Sequence, residues 1–259
     1  MSNPSIDLNI EGNVAVLTMN NPPANTWTQD TLTALKETVT ELNANKNVYA
    51  LVITGQGEKF FSAGADLNVF ASGDKGVAAT MSKVFGDAFE ALTNFRGVSI
   101  AAINGYAMGG GLEVALACDI RIAEDQAQMA LPEAKVGLLP CAGGTQNLAW
   151  LIGEGWAKRM ILCGERLKAD KAREIGLVEE VVGAGESLAV AMKLANQVGE
   201  QSPVAVTACK ELIQKGRTQP MAHALPLERE LFVQLFDTQD QKEGVNAFLE
   251  KRKANWVNG

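Results

Sequence analysis

The sequence predicts an α/β protein built around parallel strands, and three observations lead there. Short apolar, β-rich runs at 48–54 and 98–103 each lead into a glycine-containing loop. A helix-spaced segment follows each loop, so strand, loop and helix recur in that order. No Ser/Gly-rich linker interrupts the chain, which reads as one core.

The elements follow in order. Ile6, Leu8 and Ile10 alternate as one face of a strand, and a second strand over 14–19 follows the turn Glu11-Gly12-Asn13, which makes a hairpin. After Asn21-Pro22-Pro23, Thr26 and Gln29 have capping-box spacing, and Leu32, Leu35, Val39 and Leu42 predict a helix over 28–45. The strand at 48–54, a loop over 55–66 and a helix face of Val77, Met81, Phe85, Phe89 and Leu92 come next. The strand at 98–103, the glycine-rich loop at 104–111 and a helix starting near Gly110 repeat the unit, as right-handed crossovers between parallel strands require. From Thr145 onward nearly everything reads as helix, with Ser202 capping a helix that Pro203 begins.

Composition narrows the function. At 259 residues and 47% hydrophobic content the chain can bury a sizeable core, and no apolar stretch approaches the roughly eighteen residues of a membrane span. Residues 1–7 lack the basic start and apolar middle of a secretory signal, so the expectation is a cytoplasmic protein. A formal net charge of −7 argues against nucleic acid as the main partner, since phosphate backbones call for excess Lys and Arg. Cys118, Cys141, Cys163 and Cys209 are widely spaced and have only His223 as a possible nitrogen partner. Buried reduced thiols are expected, with neither a metal site nor a redox pair.

The loop 105–111, with three consecutive glycines ahead of the segment Leu112 to Cys118, would put free N–H groups at the positive end of a helix. Such an end takes a phosphate or a transition-state oxyanion. Walker and Rossmann spacings are absent, and the glycines alone also suit close strand-to-helix packing. A second loop at 60–67 follows the preceding strand and can aim another N–H at the same point.

Five segments, FSAGADL, NGYAMGGGLEVALACDIRIA, LPEAKVGLLPCAGGTQ, GLVEEVV and FLEKRKANW, resemble the crotonase, or enoyl-CoA hydratase/isomerase, family in order and spacing across essentially the whole chain. The resemblance implies a crotonase-like spiral of repeated ββα units over 1–200 and a helical C-terminal oligomerisation region over 201–259. It also implies a homotrimer or a homohexamer of two trimers, and an acyl-CoA thioester as substrate. Coenzyme A then belongs to the substrate, and no separate cofactor or metal is expected. The activity implied is addition of water across the 2,3 double bond of a 2-enoyl-CoA, giving a 3-hydroxyacyl-CoA, in fatty-acid or related acyl-CoA degradation.

The same resemblance assigns roles. Ala65 and Gly110 match the backbone N–H groups that polarise the thioester carbonyl, and Glu113 and Glu133 match the two catalytic glutamates. By itself Glu113 reads as an ordinary first-turn acid or, given the apolar run around it, as a buried functional one. By itself Glu133 reads as a surface acid beside Pro132, and the resemblance reverses that. Ala24, Ala63, Gly64, Asp66 and Leu67 match coenzyme A contacts. Phe232 and Phe248 match aromatic positions of the ligand channel, although such aromatics also serve as core. Lys251 matches a residue reaching the coenzyme of an adjacent subunit, and the cluster Lys251-Arg252-Lys253 equally suits a solvated helix end.

Three positions depart from the pattern: Asn68 for a lysine, Cys141 for a glycine, and Asn147 for an arginine. Cys141 adds bulk where the water and acyl chain are expected. Double-bond isomerisation or another reaction of the family is the nearest rival activity, opposed by retention of both glutamates. A non-catalytic RNA-binding or scaffold protein on the same fold is the rival from a different class, opposed by the net charge.

Overall fold

The computed structural model describes residues 6–259, so the first part of the segment examined for a leader lies outside the described residues. The hairpin forms as expected from β1 (Ile6–Glu11) and β2 (Val14–Met19), paired antiparallel with Leu8 opposite Leu17. It continues through parallel pairing into β3 (Ala50–Gly55), β5 (Val98–Ile103), β7 (Ile120–Glu124) and β10 (Glu180–Val182), giving the order β1-β2-β3-β5-β7-β10. A second sheet, β4 (Phe60–Ser62), β6 (Tyr106–Met108), β8 (Gln128–Ala130) and β9 (Leu167–Lys168), collects the short strands. After each long strand the chain crosses to the small sheet, forms a helix, and returns one place further along. The helices of these three turns are α2 (Lys75–Thr93), α3 (Gly110–Ala117) and α4 (Gly144–Leu162). This is the ββα spiral.

Both faces of the long sheet are buried, which is why its strands read as unbroken apolar runs. Leu51, Ile53, Ala101 and Ile103 face the main core with α1 (Gln29–Ala44) and α2. Val52, Ile100, Ala102 and Ile122 face Ala191 and Ala195 of α6 (Ser187–Val198). The edge strand β1 is different: Ile6 is buried, but Leu8 and Ile10 are largely exposed.

Four expectations need correction. The cap of α1 is Thr28, whose side chain bonds reciprocally with Thr31, two residues beyond the pair suggested by Thr26 and Gln29. The region after Thr145 is not almost wholly helical: β9 closes the small sheet and β10 adds a sixth strand to the large one. Strands this short carry too few residues to show a period-two pattern. Only Cys118 is a buried thiol, the other three cysteines being exposed in the single chain. The basic cluster is weakened as well, because Arg252 is held by Glu243 and Glu250, each at 2.6 Å.

The C-terminal helices are α7 (Pro203–Lys215), capped by Ser202 as expected, α8 (Met221–Gln234) and α9 (Gln239–Leu249). Lys210 ties α7 to the core, its Nζ donating to the carbonyls of Phe95 (2.6 Å) and Gly97 (3.0 Å) and to Asp119 (2.7 Å). Beyond α7 the arm carries exposed Phe232, Val233, Phe236, Phe248 and Leu249. Among the described residues no helix is long and apolar enough to cross a membrane.

One buried cation holds the late strand to the early ones. Arg121, on β7, donates to the carbonyls of Cys118 (2.9 Å) and Leu177 (3.0 Å) and to Glu179 (2.6 Å). Arg121→Met is expected to lower stability by about 2–4 kcal/mol, because two buried carbonyls lose their donor and Glu179 its partner. Glu179→Gln should cost clearly less, since the guanidinium keeps its carbonyl partners. Chemical denaturation of the two variants checks the order.

Candidate active site

The two loops foreseen as an anion site converge by backbone contact. Trp27 forms an isolated parallel bridge with Ala65: its N–H donates to the Gly64 carbonyl at 2.8 Å, and its carbonyl accepts from the Asp66 N–H at 3.0 Å. In that arrangement Ala65 turns its own N–H to the opposite edge. Gly64 has φ 89°, and a Cβ there would stand 2.6 Å from the Met108 carbonyl oxygen and 3.1 Å from the Gly110 nitrogen. Only glycine allows both the conformation and the approach. Gly110 opens α3, whose first N–H groups have no partner within the helix. Among the described residues neither the Ala65 nor the Gly110 N–H makes a hydrogen bond.

Two carboxyl groups reach the same place by separate routes. Glu113 lies one turn into α3, its N–H donating to the Gly109 carbonyl at 2.9 Å. Its Oε1 accepts from the Ala142 N–H (2.8 Å) and the Gly144 N–H (2.9 Å), and the residue is 3% exposed. Burial raises its carboxyl above the ordinary range, and the Gly144 and Ala142 donors oppose that shift.

Glu133 arrives through strand register. Met108 of β6 pairs with Ala130 of β8, and the Gly109 N–H donates to the Ala130 carbonyl at 2.9 Å. The 3₁₀ turn Glu133–Val136 begins three residues later, and a Cβ at Gly109 would stand 3.0 Å from Glu133 Oε1. Among the described residues neither Glu133 oxygen has a hydrogen-bond partner, though both are buried. Burial lifts this carboxyl to about 7, its own N–H opposing and the Glu113 charge adding to the rise. The two acids are therefore differentiated: Glu113 accepts from two backbone donors, and the Glu133 oxygens meet none among the described residues.

The remaining expected residues divide into two groups. The Ala63 N–H donates to the Ala24 carbonyl at 2.9 Å, so Ala24, Ala63, Gly64 and Ala65 form one continuous wall. Asp66 caps the 3₁₀ turn Leu67–Phe70, its Oδ1 accepting from the Asn68 N–H (3.0 Å) and Nδ2 (2.8 Å), while Leu67 is exposed. Asn68 thus serves that cap. Phe232, Phe248 and Lys251 lie on the C-terminal arm, where α8 packs on α7 and α9 on the intervening 3₁₀ turn. All three are exposed. Cys141 stands exposed at the mouth of the site, yet burial of its thiol, with Glu113 and Glu133 nearby, pushes it up to about 11. Together with Phe89, Thr93 and Asn147 it lines a cavity of about 210 Å³. Sequence reasoning missed the Ala142 and Gly144 donors, for which the run Ala142-Gly143-Gly144 was the available signal, and it missed Trp27.

A spiral α/β fold that gathers two N–H groups free of hydrogen bonds and two unlike carboxyls about the Gly109–Gly110 step is the class of protein this chain presents. The chain is a member of the enoyl-CoA hydratase/isomerase (crotonase) family, whose profile matches residues 9–259. It is 40% identical over 258 residues to the short-chain-enoyl-CoA hydratase of Clostridium acetobutylicum, covering 96% of each chain. It is likewise 40% identical over 262 residues to the crotonyl-CoA hydratase of Syntrophomonas wolfei, covering 99% of each. Among solved structures it is similar to Pseudomonas aeruginosa DspI, with 62% identity, a TM-score of 0.97, and coverage of 99% of this chain and 98% of that one.

The raised Glu133 carboxyl has a consequence for stability. Below about pH 4.5 the group is protonated folded or unfolded and costs nothing; as pH rises toward 7 only the folded state holds the proton, and the penalty grows to its full value. Glu133→Gln removes that penalty. Relative to wild type it should gain stability between about pH 5 and pH 8, by of the order of 2 kcal/mol after allowance for solvent screening. Denaturation midpoints across that range measure the difference, and a pH-independent offset would contradict the assignment.

Proposed function

We infer that this protein is an enoyl-CoA hydratase, adding water across the 2,3 double bond of a 2-enoyl-CoA to give a 3-hydroxyacyl-CoA. The observation that carries the reading is the unequal treatment of two adjacent glutamates beside two unpaired N–H groups. The thioester oxygen accepts from Ala65 and Gly110, placing C2 and C3 between the acids. Glu113, whose Oε1 is occupied by the Ala142 and Gly144 donors, takes a proton from water through its other oxygen. The hydroxyl adds to C3, and the π electrons move onto the thioester oxygen as an enolate. Fixed N–H dipoles stabilise that charge without reorganising, and each such donor is worth about 3–4 kcal/mol. Glu133, kept protonated by burial, gives its proton to C2. Transfer of a proton from Glu113 to Glu133 restores the pair. An enoyl thioester is already electrophilic, so this acid/base chemistry calls for no metal or redox cofactor.

Coenzyme A is assigned to the wall formed by Ala24, Ala63, Gly64, Asp66 and Leu67. Residues 1–200 form the chemical core, and 201–259 form an oligomerisation region. Exposed Phe232, Phe236, Phe248 and Leu249 on the arm support that division, since clustered apolar side chains of this size mark interaction surfaces. A homotrimer or homohexamer covers them, and Lys251, Phe232 and Phe248 then serve a neighbouring subunit's ligand. A cytoplasmic location and a place in acyl-CoA degradation complete the reading.

Loss of the enoyl chromophore on mixing with crotonyl-CoA tests the activity directly. Glu113→Gln and Glu133→Gln should each lower kcat by about 10²–10⁴-fold with thioester binding largely kept. The double variant should lose far less than the product of the two losses, because both acids serve one event. Since Glu133 must be protonated, kcat/KM should fall as pH rises through about 7, and Glu133→Gln should abolish that limb.

Sedimentation in dilute solution is expected to show at least a trimer. A fully active monomer would remove the assignment of the arm and of Lys251.

A further inference from the structure

Among the described residues three buried side-chain atoms have no hydrogen-bond partner: the two Glu133 carboxyl oxygens and Trp27 Nε1. All three belong to residues packed against the Gly109–Gly110 step, where Glu133 Oε1 lies 3.0 Å from the Cβ position of Gly109 and Trp27 Cδ1 lies 3.4 Å from that of Gly110. Trp27 is 2% exposed. Its backbone grips Gly64 and Asp66, the residues on either side of Ala65. One residue therefore touches both places that supply a free N–H.

The ring is braced from behind. Trp27 meets Phe89 edge-on with centroids 5.6 Å apart, and Phe89 meets Phe85 in the same way at 5.7 Å. Phe85 Cε1 returns to Gly110, 3.0 Å from its Cβ position. Gly110 is thus seated against two aromatic edges, one of which is rigidly coupled to the strand that orients Ala65. Filling this volume does not require indole: a Phe would bury a ring with no orphaned donor and so avoid the free-energy cost of one. The contact to Gly110 is made by Cδ1, the ring carbon bonded to the unpartnered Nε1, so the edge of the indole that carries the N–H is the edge that faces Gly110.

We propose that Trp27 is a positioning residue for hydration, setting the separation and aim of the Ala65 and Gly110 N–H groups on the thioester carbonyl. The inference rests on the hydratase reading above. Because it acts through the oxyanion site, its loss lowers turnover and carbonyl polarisation more than it lowers binding.

The test compares wild type, Trp27→Phe and Trp27→Leu, each confirmed as folded by circular dichroism. Isotope-edited infrared spectroscopy of bound butyryl-CoA, labelled at its carbonyl carbon, reads the polarisation, and crotonyl-CoA kinetics read kcat and KM. Wild type should shift the carbonyl stretch to lower frequency on binding. In Trp27→Leu the shift should shrink and kcat should fall by about tenfold or more, with KM changed by less than about threefold. Trp27→Phe should fall between the two, and it decides the matter on the same readouts if Trp27→Leu does not fold. A folded variant with the wild-type band shift and wild-type kcat overturns the proposal, as does a loss of activity that merely tracks loss of folded protein. Failure of wild type to hydrate crotonyl-CoA would instead overturn the hydratase reading, before any variant is compared.

Discussion

The close backbone approach of two loops at the edge of the small sheet is the constraint on which the rest depends. Gly64 comes within contact of Met108 and Gly110, while Gly109 is pinned to Ala130. A side chain at Gly64 would force these segments apart and misdirect both free N–H groups. The spiral supplies this approach because each long strand is followed by a short one in a second sheet, and neighbouring short strands leave their loops side by side. The β6–β8 register then delivers Glu133 to the helix that carries Glu113. The groups of the candidate site, from three turns of the chain, are positioned by pairing in a sheet of strands only two or three residues long.

The electrostatics of the site come from unequal hydrogen bonding of two carboxyls that are both removed from solvent, Glu113 the more deeply. Desolvation raises both carboxyls. Two N–H groups from the Ala142–Gly144 turn counter it at Glu113, and Glu133 has no comparable partner. Two unlike carboxyls are thereby made from the same side chain, and the Glu113 charge adds to the rise at Glu133. Burial of the Cys141 thiol, with the charges of both glutamates adding to it, raises its pKa to about 11 and holds it protonated.

The C-terminal region follows a different logic from the core. Lys210 and Thr207 join α7 to the residues flanking β5 and to Asp119, whereas α8 and α9 leave large apolar side chains in solvent. Clustered apolar side chains of this size on exposed helices are the feature that bears on the proposed assembly.

Periodicity and glycine placement made most of the core readable from the sequence. The runs 48–54 and 98–103 were legible because strands buried on both faces need apolar residues at every position. The helix face Met81, Phe85, Phe89 and Leu92 was legible because one stripe meets the core. Glu113 stood out as a charge inside an apolar run. Glu133 did not: its neighbours are ordinary, and only the resemblance pointed to it. Its proximity to Gly109 arises from strand register, a long-range property that local composition does not encode. The short strands β9 and β10 escaped notice for want of length, and the exposure of Cys141, Cys163 and Cys209 depends on packing. By itself the sequence determined the α/β core, the glycine loops and the inventory of acids, because these follow from local pattern. The tertiary structure decided which N–H groups stay free, which acid is provided with backbone donors and which is not, and that Trp27 touches both loops, because each depends on backbone atoms brought together from distant parts of the chain.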